Sequence, residues 1–204
     1  VFARASSGGP FASVNSVFIA DDKAQALFEN CFRLLNGPNA PDMTVQELDK
    51  SLIFYLRNTN FLSNNLGELY TEIDPTIPVR DTEGNLYDRT YDFQGYQIYQ
   101  VRDSEVSAGE LEDPELARLL IQYDIEDFDE NGAPIAQIIN YEFDEQIGLS
   151  VPTEKVNGQN EGISHSFEVV TDLFAQGDNA LINFKKYYFI AVAYGYNQYE
   201  AYNP

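Results

Sequence analysis

The stretch Asn183 to Tyr202, NFKKYYFIAVAYGYNQYEAY, limits what the rest of the chain can be, because its β-branched and aromatic density suits a pleated strand and not a helix. Tyr188, Ile190, Val192 and Tyr194 share one face at a period of two, and helical spacing fits the same residues poorly. The segment reads as the penultimate strand of a β-sandwich, running into its last turn. Upstream, Leu181 lies six residues before Tyr187, the spacing of the tyrosine corner through which sandwich domains tie this strand to the preceding loop. Tyr188 has the better strand parity and Tyr187 the better corner spacing; we assign the corner to Tyr187. An ordinary aromatic strand without that bond is the alternative.

At 204 residues and 44% hydrophobic content the chain can bury a core as one large or two small domains. Acidic residues outnumber basic ones 33 to 12, and the net charge of −21 repels phosphate backbones and anionic lipid surfaces, so no nucleic-acid partner is expected. Ca²⁺ coordination, a saline habitat and plain solubility are all compatible with that surplus. The scarcity of lysine leans towards the saline one. The single cysteine, Cys31, cannot form an intrachain disulfide, and it sits on a helical face as a small hydrophobe. No apolar run approaches the roughly 18 residues of a membrane span and no charged-then-apolar leader opens the chain, whose start VFARASSGGP reads as the middle of a longer protein that has lost any leader it had.

In chain order, Val1 to Ala5 alternates like a strand end and is followed by a Ser6–Pro10 loop. From Ser13 to Leu35 the period turns helical: Ala24, Leu27, Phe28, Cys31, Phe32 and Leu35 make one apolar stripe, for which core packing is the expectation. NGPNAP at Asn36–Pro41 forbids helix and strand alike, which puts the linker at 38–41, the end of an upstream domain at 1–37 and a sandwich at 42–204. Met43–Leu48 and Ser51–Asn58 read as two short strands around an Asp49-Lys50 turn, and Leu66–Ile73 as a short extended segment. Tyr91–Val101 is the second strong strand. An insertion at about 104–143 should hold a short helical turn at Asp113-Pro114-Glu115, then a hairpin of Ile121–Ile125 with Ile135–Phe143 around Asn131-Gly132. Ile163–Val170 is the next strand.

Few motifs carry chemistry. Asp127, Asp129 and Asn131 before Gly132 match the first half of a Ca²⁺-binding loop, but position twelve is Ile138 in place of a bidentate glutamate. A weak Ca²⁺ site is the most this pattern allows, and a metal-free turn is the favoured reading. His165 is the only histidine and lies inside a strand, which favours a structural role; Gly162-Ile163-Ser164-His165-Ser166 lacks the second glycine of a nucleophile elbow. Among 33 carboxylates no two are singled out as an acid pair, and no phosphate-cradling loop occurs. Catalytic and cofactor residues are therefore not assigned.

Three segments carry a family resemblance: YDFQGYQIYQ at Tyr91–Gln100, GISHSFEV at Gly162–Val169 and KKYYFIAVAYGYN at Lys185–Asn197 resemble the C, E and F strands of fibronectin type III-like modules. More narrowly, the order ARASSGGPFASV, ADDKAQALFENCF, NGPNAPDM and then the FQGYQ and HSF strands is similar to large cell-surface proteins of Bacteroidota that leave by type IX secretion. The likeness covers nearly the whole chain. It implies an immunoglobulin-like antiparallel β-sandwich after an amphipathic helix, in a secreted or cell-surface protein, and no chemistry. Two departures stand out: the chain has no tryptophan for the core, and the insertion is long for such a module.

The expected function is thus a non-enzymatic structural or adhesive module, whose partners are other domains of the same polypeptide or neighbouring copies reached through Val1 to Ala5. A carbohydrate-binding or hydrolase accessory domain is the alternative. It would use a platform of Tyr194, Tyr196, Tyr199 and Tyr202.

Overall fold

The computed structural model describes residues 11–29, 35–80, 83–129, 131–144 and 148–199. It is mainly β, built of antiparallel sheets, and among the described residues no helix is long and apolar enough to cross a membrane. Two compact units divide the chain: Val1–Asn36 with Thr71–Tyr91 and Asn197–Glu200, and Gly37–Tyr70 with Asp92–Tyr196 and Ala201–Pro204.

In the first unit, α1 (Ala12–Glu29) is an α-helix. Of the apolar stripe expected to pack into a core, the described side chains divide: Phe28 is 67% exposed, whereas Ala24 and Leu35 are half-buried; upstream, Val14, Val17 and Phe18 are exposed. Periodicity selects a face; only neighbouring elements can cover it. Cys31 and Phe32 lie outside the described residues, as does the whole Val1–Pro10 segment. The unit also holds β3 (Thr71–Ile73), an Arg80↔Leu86 bridge and an edge-to-face pair of Tyr87 and Tyr199, 4.7 Å apart.

The second unit packs two sheets face to face. One sheet orders β1 (Asp42–Leu48), β2 (Ser51–Arg57) and β8 (Ser166–Val169) side by side; in the other, β4 (Thr90–Val101) lies between β5 (Ala117–Asp124) and β9 (Tyr188–Tyr196). Directly paired residues share a face, so the register Val45↔Phe54↔Phe167 defines the inner face of the first sheet, and Tyr123↔Tyr96↔Ala193 with Ile121↔Ile98↔Ala191 that of the second. Aromatic rings join the layers. Phe54, with no exposed surface, stacks on Phe167 at 5.2 Å and meets Phe189 edge-on at 4.8 Å; Tyr123 lies 6.0 Å from Phe167.

Gly95 sits at the bulge in β4, and any Cβ there would come within 2.1 Å of the Tyr123 carbonyl. Its bare backbone leaves room for the Tyr194 hydroxyl to donate to that same carbonyl at 3.2 Å.

The insertion departs from expectation. Ile121–Ile125 and Ile135–Phe143 are not hairpin partners: β5 pairs with β4, and β6 (Gln137–Asp144) pairs with β7 (Leu149–Asn157). What survives at Asp129–Gly132 is a local turn closed by a Phe128↔Pro134 bridge. The Asn-Gly turn signal is local, whereas the strands on either side were claimed by longer partners. β7 is masked in the sequence by Pro152, which is tolerated because the β6–β7 ribbon has free edges. Asp113 accepts the amides of Leu116 and Ala117 in one turn, while the 3-10 turn of the region lies earlier, at Ala108–Glu110, capped by Ser107. Leu66–Glu68 is likewise a 3-10 turn before β3, where an extended segment was expected.

Candidate functional site

The second unit offers three kinds of site: the motifs singled out in the sequence, a buried polar cluster, and an open edge between the sheets. The sequence motifs scatter. Asp129 Oδ1 accepts the amides of Asn131 at 2.9 Å and Ala133 at 2.7 Å, which holds its carboxyl below the usual carboxylate range, whereas Asp127 turns to the Gln94 amide at 3.0 Å. Burial pushes Asp127 up, against the Gln94 donation. The two carboxylates serve different bonds, and among the described residues no group of three His, Cys, Asp or Glu side chains is placed to hold a metal. Tyr194 is half-buried with its hydroxyl turned into the sheet, its phenol pushed up by burial and then by Asp124 and Asp127. Tyr196 shares that environment, Tyr199 pairs with Tyr87 in the other unit, and Tyr202 lies outside the described residues.

Around Tyr187 the hydroxyl accepts the Ile182 amide at 2.8 Å, one residue beyond Leu181; Leu181 itself is 3% exposed and donates its amide to Val170. Tyr187 precedes β9, and the strand begins at Tyr188.

The polar cluster joins residues far apart in sequence. Glu68 Oε1 accepts the Tyr96 hydroxyl at 2.8 Å and meets His165 Nε2 at 2.7 Å, and the Asn58 amide donates to the same Tyr96 oxygen. Burial and then Glu68 push the Tyr96 phenol far up, so it remains a neutral donor and no nucleophile. Glu68 adopts a left-handed backbone (φ 64) beside Gly67, a strain sustained by these bonds. The cluster is a clasp that ties the Asn65–Glu68 turn to β4 and to the start of β8. Sequence reasoning missed Glu68 and Tyr96, because a separation of 97 residues between Glu68 and His165 carries no periodic signal.

The open edge is the larger feature. β9 pairs with β4 along one side; among the described residues no strand pairs with its other side. Its nine residues, YFIAVAYGY, carry no charge and no proline, the devices by which exposed edges are normally blunted. Across from it, the inner face of β1 is uncovered: Val45 is 46% exposed although its cross-strand partner Phe54 is fully buried. Between them runs a groove of about 770 Å³, walled by Val45 and Glu47 on one side and by Tyr188 and Phe189 on the other.

A clasp closes one end of this groove. Asn183 Oδ1 accepts the Lys50 amide at 2.9 Å while its Nδ2 donates to Asp49 at 2.7 Å, so the β1–β2 turn, with Lys50 at φ 56, is stapled to the loop before β9. That loop is held from below as well. Lys185 Nζ lies 2.6 Å from Asp172 Oδ2, a carboxylate only 2% exposed that also accepts Gln100 Nε2 at 2.7 Å and the Phe174 amide at 3.0 Å. Burial pushes Asp172 up, but Lys185, Gln100 and Phe174 outweigh it and hold the carboxyl below its usual range. So braced, the loop presents Phe184 in a left-handed conformation (φ 65) with its ring fully exposed at the groove mouth, an uncommon state for a bulky aromatic.

Comparison with protein-family models, curated proteins and solved structures finds no match to this chain.

Proposed function

We propose that the chain is a non-enzymatic structural or adhesive module of a secreted or cell-surface protein, a fibronectin type III-like sandwich that joins parts of a larger assembly and works without a resident cofactor. The observation that carries this reading is the uncharged, one-sided edge of β9 beside the uncovered face of β1, a surface suited to strand addition. Strand order supports the module type: β1-β2-β8 facing β5-β4-β9 corresponds to strands A-B-E facing C′-C-F of immunoglobulin-like sandwiches, with β6–β7 as an insertion over the outer face, where Gln97 Nε2 donates to the Lys155 carbonyl at 3.0 Å. The Ile182–Tyr187 bond lies where a tyrosine corner would lie in that scheme. The amphipathic role of α1 and export by type IX secretion belong to the same proposal and rest on the sequence resemblance.

Two measurements test it together. Cross-linking on intact producing cells should capture the chain joined to other copies or to further domains of its own polypeptide at the surface. Incubation with insoluble polysaccharides should leave it in the supernatant. Retention that disappears with Tyr194→Ala would instead favour a carbohydrate-binding domain.

A further inference from the structure

We propose that the groove between β1 and β9 accepts, as an added strand, the segment Val1–Ala5 of a second copy of the chain, with Phe2 over Val45 and Arg4 against Glu47. This rests on the structural-module reading and names its partner. β9 offers nine residues of backbone on the side where no described strand pairs with it, and the N–H and C=O groups of an apolar edge need a partner or water. A strand laid there would face the inner side of β1, where the cross-strand register puts Val45 and Glu47 two residues apart on one face. The apolar position is half-exposed, and the carboxylate is in none of the ion pairs among the described residues. VFARA matches that pattern at the same spacing: added as an extended strand it would put Phe2 and Arg4 on one face, an aromatic ring and a cation two residues apart.

Charge favours a second copy at this place. A chain of net charge −21 repels itself over most of its surface, yet residues 1–20 contain no carboxylate and one arginine, and residues 179–199, which form β9 and its preceding loop, contain none either. The two stretches can meet with little repulsion. Ser6–Pro10, with two glycines and a proline, separates the donor residues from α1. Phe184, held exposed at the groove mouth by the Asn183 and Lys185 clasps, supplies an aromatic anchor at the rim. Donor and acceptor lie on different parts of the chain, so the contact is head-to-tail and propagates unless its geometry closes into a ring.

Light scattering across a concentration series on the full chain reads the proposal. The parent should self-associate; Glu47→Arg and Arg4→Glu should each weaken association by roughly tenfold or more, and the double reversal should restore it. Glu47 is exposed on β1, and unchanged circular dichroism would verify that the variants fold. In a second measurement, a labelled VFARASSGGP peptide should bind the chain lacking Val1–Ala5 and bind its Glu47→Arg form far more weakly. A parent that stays monomeric overturns the proposal. So do single variants that associate like the parent, which is the outcome for β9 pairing with β9 of another copy, or a double reversal without recovery. Peptide binding to the truncated chain beside a monomeric parent would assign the groove to the chain's own segment, which also overturns the second-copy occupant. Surface cross-links to other domains together with a monomeric parent would leave the structural-module reading standing and remove only this one.

Discussion

Replacing Lys185 with methionine would remove the ammonium that compensates a carboxylate buried to 2% exposure, while retaining most of the stem. Breaking a buried ion pair from one side costs about 3–5 kcal/mol when the remaining charge is stranded. Asp172 would not be fully stranded: it keeps the Gln100 amide at 2.7 Å and the Phe174 amide at 3.0 Å, and the Lys185 side chain is itself 47% exposed. The expected loss at neutral pH is therefore discounted to about 1–2 kcal/mol. Its pH dependence has a definite sign. The Asp172 carboxyl is held below its usual range in the folded protein, so its stabilisation is present above the unfolded pKa and lost as pH falls through the folded one. Lys185→Met should accordingly destabilise most near neutrality and progressively less from roughly pH 4 downward, as Asp172 protonates in both proteins. Urea denaturation at a series of pH values measures this directly. A loss that is the same at every pH would mean that the ammonium contributes packing alone, and the electrostatic account would fail.

Phe54→Ala should cost about 3–5 kcal/mol, towards the upper end because two aromatic partners lose their contact, and the urea midpoint should fall with an unchanged m-value. Tyr187→Phe should cost only about 0.5–1 kcal/mol, since the Ile182 amide it releases is in an exposed place where water can replace the hydroxyl; a loss several times larger would mean that the bond anchors the sandwich. Calorimetric titration with Ca²⁺ should give no micromolar binding at the Asp127–Asn131 turn, because Asp129 is committed to its own turn amides and Asp127 to Gln94; micromolar binding abolished by Asp129→Ala would contradict this.

The strands that could be read in advance were those whose evidence is local. β9 and β4 announce themselves by aromatic alternation, and the β1–β2 hairpin by its turn at Asp49-Lys50, where Lys50 takes a positive φ. β7 could not be read, because Pro152 and five charged or polar residues, Ser150, Thr153, Glu154, Lys155 and Asn157, hide a strand that forms on a two-stranded ribbon. The pairing of β5 with β4, and not with the segment after the Asn131-Gly132 turn, is hidden for a related reason. Its sequence says that it is extended, but nothing local says whether β4 or β6 will claim its backbone.

From the sequence alone follow the mainly β character, the net charge of −21, and the rough bounds of the locally patterned strands β1, β2, β4 and β9, since each depends on residue type and on neighbours within a few positions. The tertiary structure alone decides which faces are covered. Phe54 and Val45 are both apolar strand residues, directly paired, yet one has no exposed surface and the other is 46% exposed, because the sheet opposite extends as far as β9 and no described strand lies beyond it. The Glu68–Tyr96–His165 clasp and the groove beside β9 arise in the same way. They are juxtapositions of segments tens of residues apart, set by how two sheets overlap, and no periodicity along the chain encodes that overlap.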